Sequence, residues 1–133
     1  MPDAAFQAHE AAADNALKRG DFPQLIRVFL ACLANHPRNP LLHSDLAKAY
    51  LKVGNRNAAK QHFIEALHLD PHRLETIFQV ALFYRQEGDF TESIRYFQKA
   101  LRINPVDAQA HYQLANTYSR QNQFDLAVTH YQQ

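Results

Sequence analysis

One cysteine stands among 133 residues. Cys32 has no internal partner, so a disulfide framework is excluded and the redox compartment stays open. A small buried thiol is the expectation for it. No apolar run approaches the ~20 residues that cross a bilayer. Residues 1–16 hold no basic stretch followed by an apolar one, and they read as an amphipathic helix rather than a signal peptide. A soluble, cytoplasmic protein is therefore expected, with no membrane contact. Neither sign of charge dominates. The 14 Lys and Arg nearly balance the 13 Asp and Glu, for a formal net charge of +1, which argues against a nucleic-acid-binding arm or an acidic tail. Alternating Val/Ile/Thr runs are missing, and strands with them. A nucleophile elbow, a glycine-rich phosphate loop and a cysteine pair are missing too. No catalysis and no cofactor are expected within these residues. Glycine is scarce at three residues and proline at six, and most of them fall at one fixed interval.

That interval is 34 residues. Pro37, Pro71 and Pro105 form one column, and Gly20, Gly54 and Gly88 another. Ala13, Ala47, Ala81 and Ala115 form a third; Phe29, Phe63, Phe97 and Tyr131 form a fourth. A fixed period of this size means stacked copies of one small unit. The copies run over residues 6–39, 40–73, 74–107 and 108–133, the last incomplete, within a single domain of residues 1–133. In copy three, Ile77, Val80, Ala81 and Tyr84 lie on one helical face. Gly88-Asp89 interrupts the pattern. Phe90, Ile94, Phe97, Ala100, Leu101 and Ile103 resume it, and Asn104-Pro105 stops it, because proline disfavours helical geometry in the residue before it. Each copy thus reads as two helices. The alanines, with Ala59, Ser93 and Ala127 in the second helices, let helices approach closely, while the large residues fill space between pairs. The glycines supply a left-handed residue after each first helix. In copy four Asn122 holds that position, and asparagine is the next best residue for that backbone. Asn39-Pro40 reads as a capped helix start, and Pro23 sits where a first turn tolerates proline.

These columns resemble the tetratricopeptide repeat family, whose period is 34 and whose unit is helix–turn–helix. The resemblance runs from Phe6 to Gln133, and Gly88-Asp89-Phe90 with Tyr96–Pro105 carries it best. Copy one is degenerate, with Ala12, Ala16 and Leu25 off pattern. The family's early tryptophan is replaced by His9, His43, Ile77 and His111. The resemblance implies an all-α, right-handed superhelical solenoid of antiparallel helix pairs whose first helices line a concave groove. A protein or peptide partner would lie there, against Glu10, Asp14, Asp45, Lys48, Glu75, Phe78, Gln79, Leu82, Tyr112, Gln113 and Asn116. Phe78, Leu82 and Tyr112 offer it apolar contact, and Glu10, Asp14 and Asp45 would meet its basic groups. Some family members capture chaperone C-terminal carboxylates with lysine and asparagine. Here the matching places hold Glu10, Asp14, Asp45, Glu75 and Gln79, or one copy on, Ser44, Lys48, Gln79, Gln109 and Gln113, so capture of that kind is not expected.

Eight histidines raise the question of a metal. His9 and His43 sit one copy apart, too far to share an ion with ease. Pro71 separates His68 from His72, and Ala13 stands where a zinc-protease motif begun at His9-Glu10 needs its second histidine. No metal is expected. Lys18, Lys52, Arg85 and Arg120 recur near first-helix ends. Cations complementing helix C-termini explain them more simply than a ladder for an acidic ligand. Copy four breaks off at Gln133, where Leu114, Tyr118, Phe124, Val128 and Tyr131 leave an open apolar end. That pattern reads as a fragment of a longer protein. Two rival roles follow: the N-terminal region of a glycosyltransferase- or methyltransferase-like enzyme that recruits substrate, and a module that self-associates through its C-terminal end.

Overall fold

The computed structural model describes the backbone of residues 4–132 and the side chains of residues 8–125. Within them are seven helices and no strand: α1 (Ala4–Arg19), α2 (Phe22–Asn35), α3 (Pro40–Lys52), α4 (Arg56–Leu69), α5 (Leu74–Gln86), α6 (Phe90–Ile103) and α7 (Ala108–Gln132). They form two compact units, Met1–Pro71 with α1 to α4 and His72–Gln133 with α5 to α7. No helix among the described residues is long and apolar enough to cross a membrane. Successive helices pack on one another within each unit: α1 on α2, α2 on α3 and α3 on α4 in the first, α5 on α6 and α6 on α7 in the second.

The turn inside each of the first three copies is built the same way. Gly20, Gly54 and Gly88 have φ of +69°, +82° and +82°, a backbone that a Cβ disfavours. The next residue's N–H then reaches back to close the helix: Asp21 to the carbonyl of Ala16, Asn55 to Tyr50 and Asp89 to Tyr84, each at 2.9 Å. Those same residues start the next helix. The Asp21, Asn55 and Asp89 side chains accept from the N–H of Gln24, Ala58 and Glu92, each at 3.2 Å. One residue pair therefore ends one helix and caps the next. The glycine column is legible in the sequence, whereas the capping column beside it follows only from the bonds. At the junctions between copies, Asn39 caps α3 through Leu41 and Leu42 with Pro40 at its first position, and Asp107 accepts from Ala110 at 3.1 Å.

Small residues sit where helices meet. Ala16, Ala47, Ala59, Ala81 and Ser93 are fully buried, and Ser93 Oγ donates to the Ala81 carbonyl at 2.8 Å, so the hydroxyl is satisfied inside the α5–α6 contact. In the first unit Ala16, Leu25, Ile26, Leu46 and Ala49 make a core flanked by Phe22, Phe29 and Tyr50. In the second, Ile77, Val80, Phe83, Phe97 and Ala100 are buried.

Copy four departs from the expected plan. α7 is one continuous helix, no residue but glycine has positive φ among the described residues, and Asn122 lies inside the helix. Without glycine's freedom, a left-handed residue costs more than continuing a right-handed helix, and Gln121-Asn122-Gln123 offers nothing to stop one. Two further expectations change with it. Ala115 is exposed, because no second helix of the copy folds back over it. Arg120 lies in the middle of α7 rather than at a C-terminus, so the helix-end explanation does not apply to it. The side chains of Phe6, Ala127, Val128 and Tyr131 lie outside the described residues.

Candidate functional site

A cavity of about 550 Å³ opens on the first unit among α1, α2 and α3. Its floor is apolar, from Leu17, Phe22, Leu25, Phe29 and Leu41. Leu17 and Leu41 are 57% and 44% exposed, more than a helix inside an intact core would leave open. Four expected groove residues stand on its walls: Glu10 and Asp14 from α1, Asp45 and Lys48 from α3. Glu10 and Asp14 are one turn apart on the same face, and both are exposed. Asp45 is already engaged, because Lys48 Nζ lies 3.3 Å from its Oδ1. Glu10 and Asp14, with no ion pair among the described residues, make up the rest of the acidic wall. The spacing of first helices points to the wall residues. It does not point to Phe22, Leu25 and Phe29, which come from the second helix and read as ordinary core. Cys32 also lines the cavity and is buried, and burial pushes its thiol above the usual range.

The other expected groove residues belong to the second unit. Glu75 is exposed, with Arg73 Nη2 3.3 Å from it and Gln79 Nε2 donating at 3.5 Å. Phe78 is half-buried and meets Phe97 edge-on, with ring centroids 5.8 Å apart, so its ring serves packing as well as surface. Leu82 and Asn116 are half-buried. Tyr112 is 64% exposed. Gln113 is held by Arg85, whose Nη1 donates to its Oε1 at 2.8 Å and to Thr117 Oγ1 at 3.2 Å. Arg85 lies in the last turn of α5, where a helix-end cation is expected, and its guanidinium also ties α5 to α7.

The histidine column has a structural use. His43 is only 7% exposed. Its Nε2 lies 2.9 Å from the Pro37 carbonyl and its Nδ1 lies 3.1 Å from His62 Nδ1. A carbonyl only accepts, so Nε2 carries the proton, Nδ1 accepts, and His62 Nδ1–H donates. The ring centroids are 5.3 Å apart, which places the two nitrogens almost end-on, as one N–H···N bond requires. His62 also stacks on Tyr50. Burial, then His43, push the His62 pKa below its ordinary value, with Glu65 opposing. One copy pair later, His111 Nε2 lies 2.9 Å from the Pro105 carbonyl. Histidine here ties a first helix to the proline turn before it. No group of three or more His, Cys, Asp or Glu among the described residues is placed to hold a metal ion.

An all-α protein of repeated helix pairs, with a cavity lined from successive helices, defines the class. Two Tetratricopeptide repeat family models match the chain, over residues 42–73 and 73–133, and the chain belongs to that family. No curated protein matches it. Among solved structures it is similar to the MamA protein, at 24% identity over 96% of this chain and 70% of that one, with a TM-score of 0.77. It is also similar to the Sgt2 TPR domain from Aspergillus fumigatus, at 17% identity over 93% and 83%, TM-score 0.79. The second TPR domain of human RPAP3, solved in complex with the HSP70 peptide SGPTIEEVD, matches at 22% identity over 83% and 92%, TM-score 0.72. These likenesses concern the fold.

Proposed function

We propose that this chain is a non-catalytic protein-interaction module whose first unit holds a segment of a partner protein in the cavity between α1 and α3. The single observation that supports this reading is an apolar floor left open beside an acidic wall. Leu17, Phe22, Leu25, Phe29 and Leu41 line the same cavity as Glu10 and Asp14. A bulky apolar side chain fills such a floor and gains roughly 1.5–3 kcal/mol by leaving water. A lysine or arginine next to it meets the two carboxylates, and charge of that kind sets specificity and encounter rate more than affinity. The RPAP3 domain carries a peptide ending in Glu-Glu-Val-Asp. Glu10 and Asp14 repel such an ending, so a basic–apolar segment is the occupant that fits here.

Selection from a random peptide library on the intact chain tests this. The expected winners pair a large apolar residue with Lys or Arg, and Glu10→Lys/Asp14→Lys weakens them at least about tenfold, which is 1.4 kcal/mol, with an unchanged melting temperature. Winners that ignore the double charge reversal would remove the cavity from consideration.

A further inference from the structure

On the second unit, Arg85 is bonded to the face of α7 that carries Arg120, and among the described residues no carboxylate is paired with either cation. Arg85 leaves α5, and its Nη1 reaches Gln113 and Thr117 on α7. Thr117 and Arg120 are three residues apart, and Gln113, Thr117 and Arg120 recur at helical spacing along one face of α7. The guanidinium of Arg85 is therefore laid onto the face that carries Arg120. Thr117 is fully buried there, and its hydroxyl both accepts from Arg85 and donates to the Gln113 carbonyl at 2.7 Å. The α7 side of the contact is thus fixed.

Arginine stays charged in proteins, and two guanidiniums brought together repel. Carboxylates normally relieve such pairs. Among the described residues none is bonded or paired to either group; the partners of Arg85 are an amide and a hydroxyl. Its Nε is buried, with no acceptor among the described residues. Burial first, then Arg120, push the Arg85 pKa below its ordinary value, with Tyr112 opposing. Helix-end stabilisation does not explain Arg120, which is mid-helix; Arg85 does lie in the last turn of α5, and its guanidinium is also turned onto α7. Tyr112, 64% exposed on α7, adds an aromatic surface and a hydroxyl to the same neighbourhood.

We infer that Arg85 and Arg120 form an oxyanion site that binds a carboxylate or phosphate carried by a partner peptide, with Tyr112 beside it. Both anions offer the paired oxygens that match the guanidinium fork. The site uses neither the columns of chaperone-tail capture nor any residue of the first-unit cavity. It stands whether or not that cavity takes a peptide, and its probes and variants are different.

The test uses the intact 133-residue chain, labelled for the arginine Nε–H resonances. It is titrated with three probes: a Glu-Glu-containing peptide, the same peptide with phosphoserine replacing one glutamate, and inorganic phosphate. The expected result is saturable movement of the Arg120 and Arg85 signals, weakened by salt. Movement with the glutamate peptide alone, or only with the phosphate-bearing probes, supports the site and identifies the source of the anion. Arg120→Gln is expected to lower affinity about tenfold or more, and Arg120→Lys to recover part of it. Arg120 is exposed, so its variants are expected to fold as the parent does, and circular dichroism checks this. Arg85→Gln removes the tie to α7 as well and serves only as a second reading. No saturable movement with any probe up to millimolar concentration, or an affinity untouched in Arg120→Gln, overturns the proposal.

Discussion

Ser93 shows how much one side chain carries in a close helix contact. Its hydroxyl is buried and bonded to the Ala81 carbonyl. Alanine holds that column at Ala59, so Ser93→Ala leaves packing intact and is expected to cost about 1 kcal/mol or less. Ser93→Leu forces α5 and α6 apart and is expected to cost about 1–3 kcal/mol. Urea midpoints of the two variants check the ordering. His62 titrates with a sign fixed by its surroundings. Its folded pKa is lowered by burial and by His43 from α3, against Glu65 on its own helix, while Tyr50 stacks on it without charge. Below pH ~6.5 the unfolded chain takes up a proton that the folded one resists. Stability therefore falls as pH drops from that point through the folded value, and levels off below it. Urea melts at pH 7.5, 6.5 and 5.5 are expected to show the fall, and His62→Gln to show less of it. An equal slope in parent and variant would contradict the assignment. Little of this was legible in sequence. The period shows that His43 occupies a packing column, but a neutral tie to the Pro37 carbonyl depends on which ring nitrogen faces which acceptor, and spacing carries no such information.

At the scale of the helix the sequence was far more informative, because periodicity and turn chemistry are local. Gly88 is required by its φ of +82° and not by crowding, since nothing lies within 4 Å of an added Cβ. Gly88→Ala is expected to cost about 1–2 kcal/mol through backbone conformation alone. The buried ring of Phe97 is worth more, and Phe97→Ala is expected to cost about 3–5 kcal/mol. Calorimetry measures both. Copy four is where local reasoning failed. Asparagine in the glycine column looked like the next-best turn residue, yet a position that tolerates a left-handed backbone does not impose one, and α7 continues through it. Asn122→Ala tests this directly. In a continuous helix alanine is the better residue by roughly half a kcal/mol, so a higher melting temperature is expected. A clear loss of stability would restore the turn.

For the whole molecule, the repeat shows which helices line the first-unit cavity but not what that cavity takes. Glu10 and Asp14, expected along the groove, line the cavity with Asp45 and Lys48, because the first helices of copies one and two bring the four together. The Asp45–Lys48 pair and the second-helix floor needed coordinates, since they depend on side-chain pairing and on core residues left partly uncovered. Phe78, expected as a contact residue, is committed in part to Phe97. Tyr112→Ala is therefore the cleaner surface test in the second unit, and it is expected to change the unfolding free energy by no more than about 0.5 kcal/mol. The central claim is that the first unit receives a basic–apolar segment between α1 and α3. Amide chemical-shift mapping of the intact chain, with a peptide selected on it, measures that most directly. The account predicts the largest changes at Glu10, Asp14, Leu17, Leu41 and Lys52. Changes confined to the exposed side chains of α4, with those five still, would contradict it.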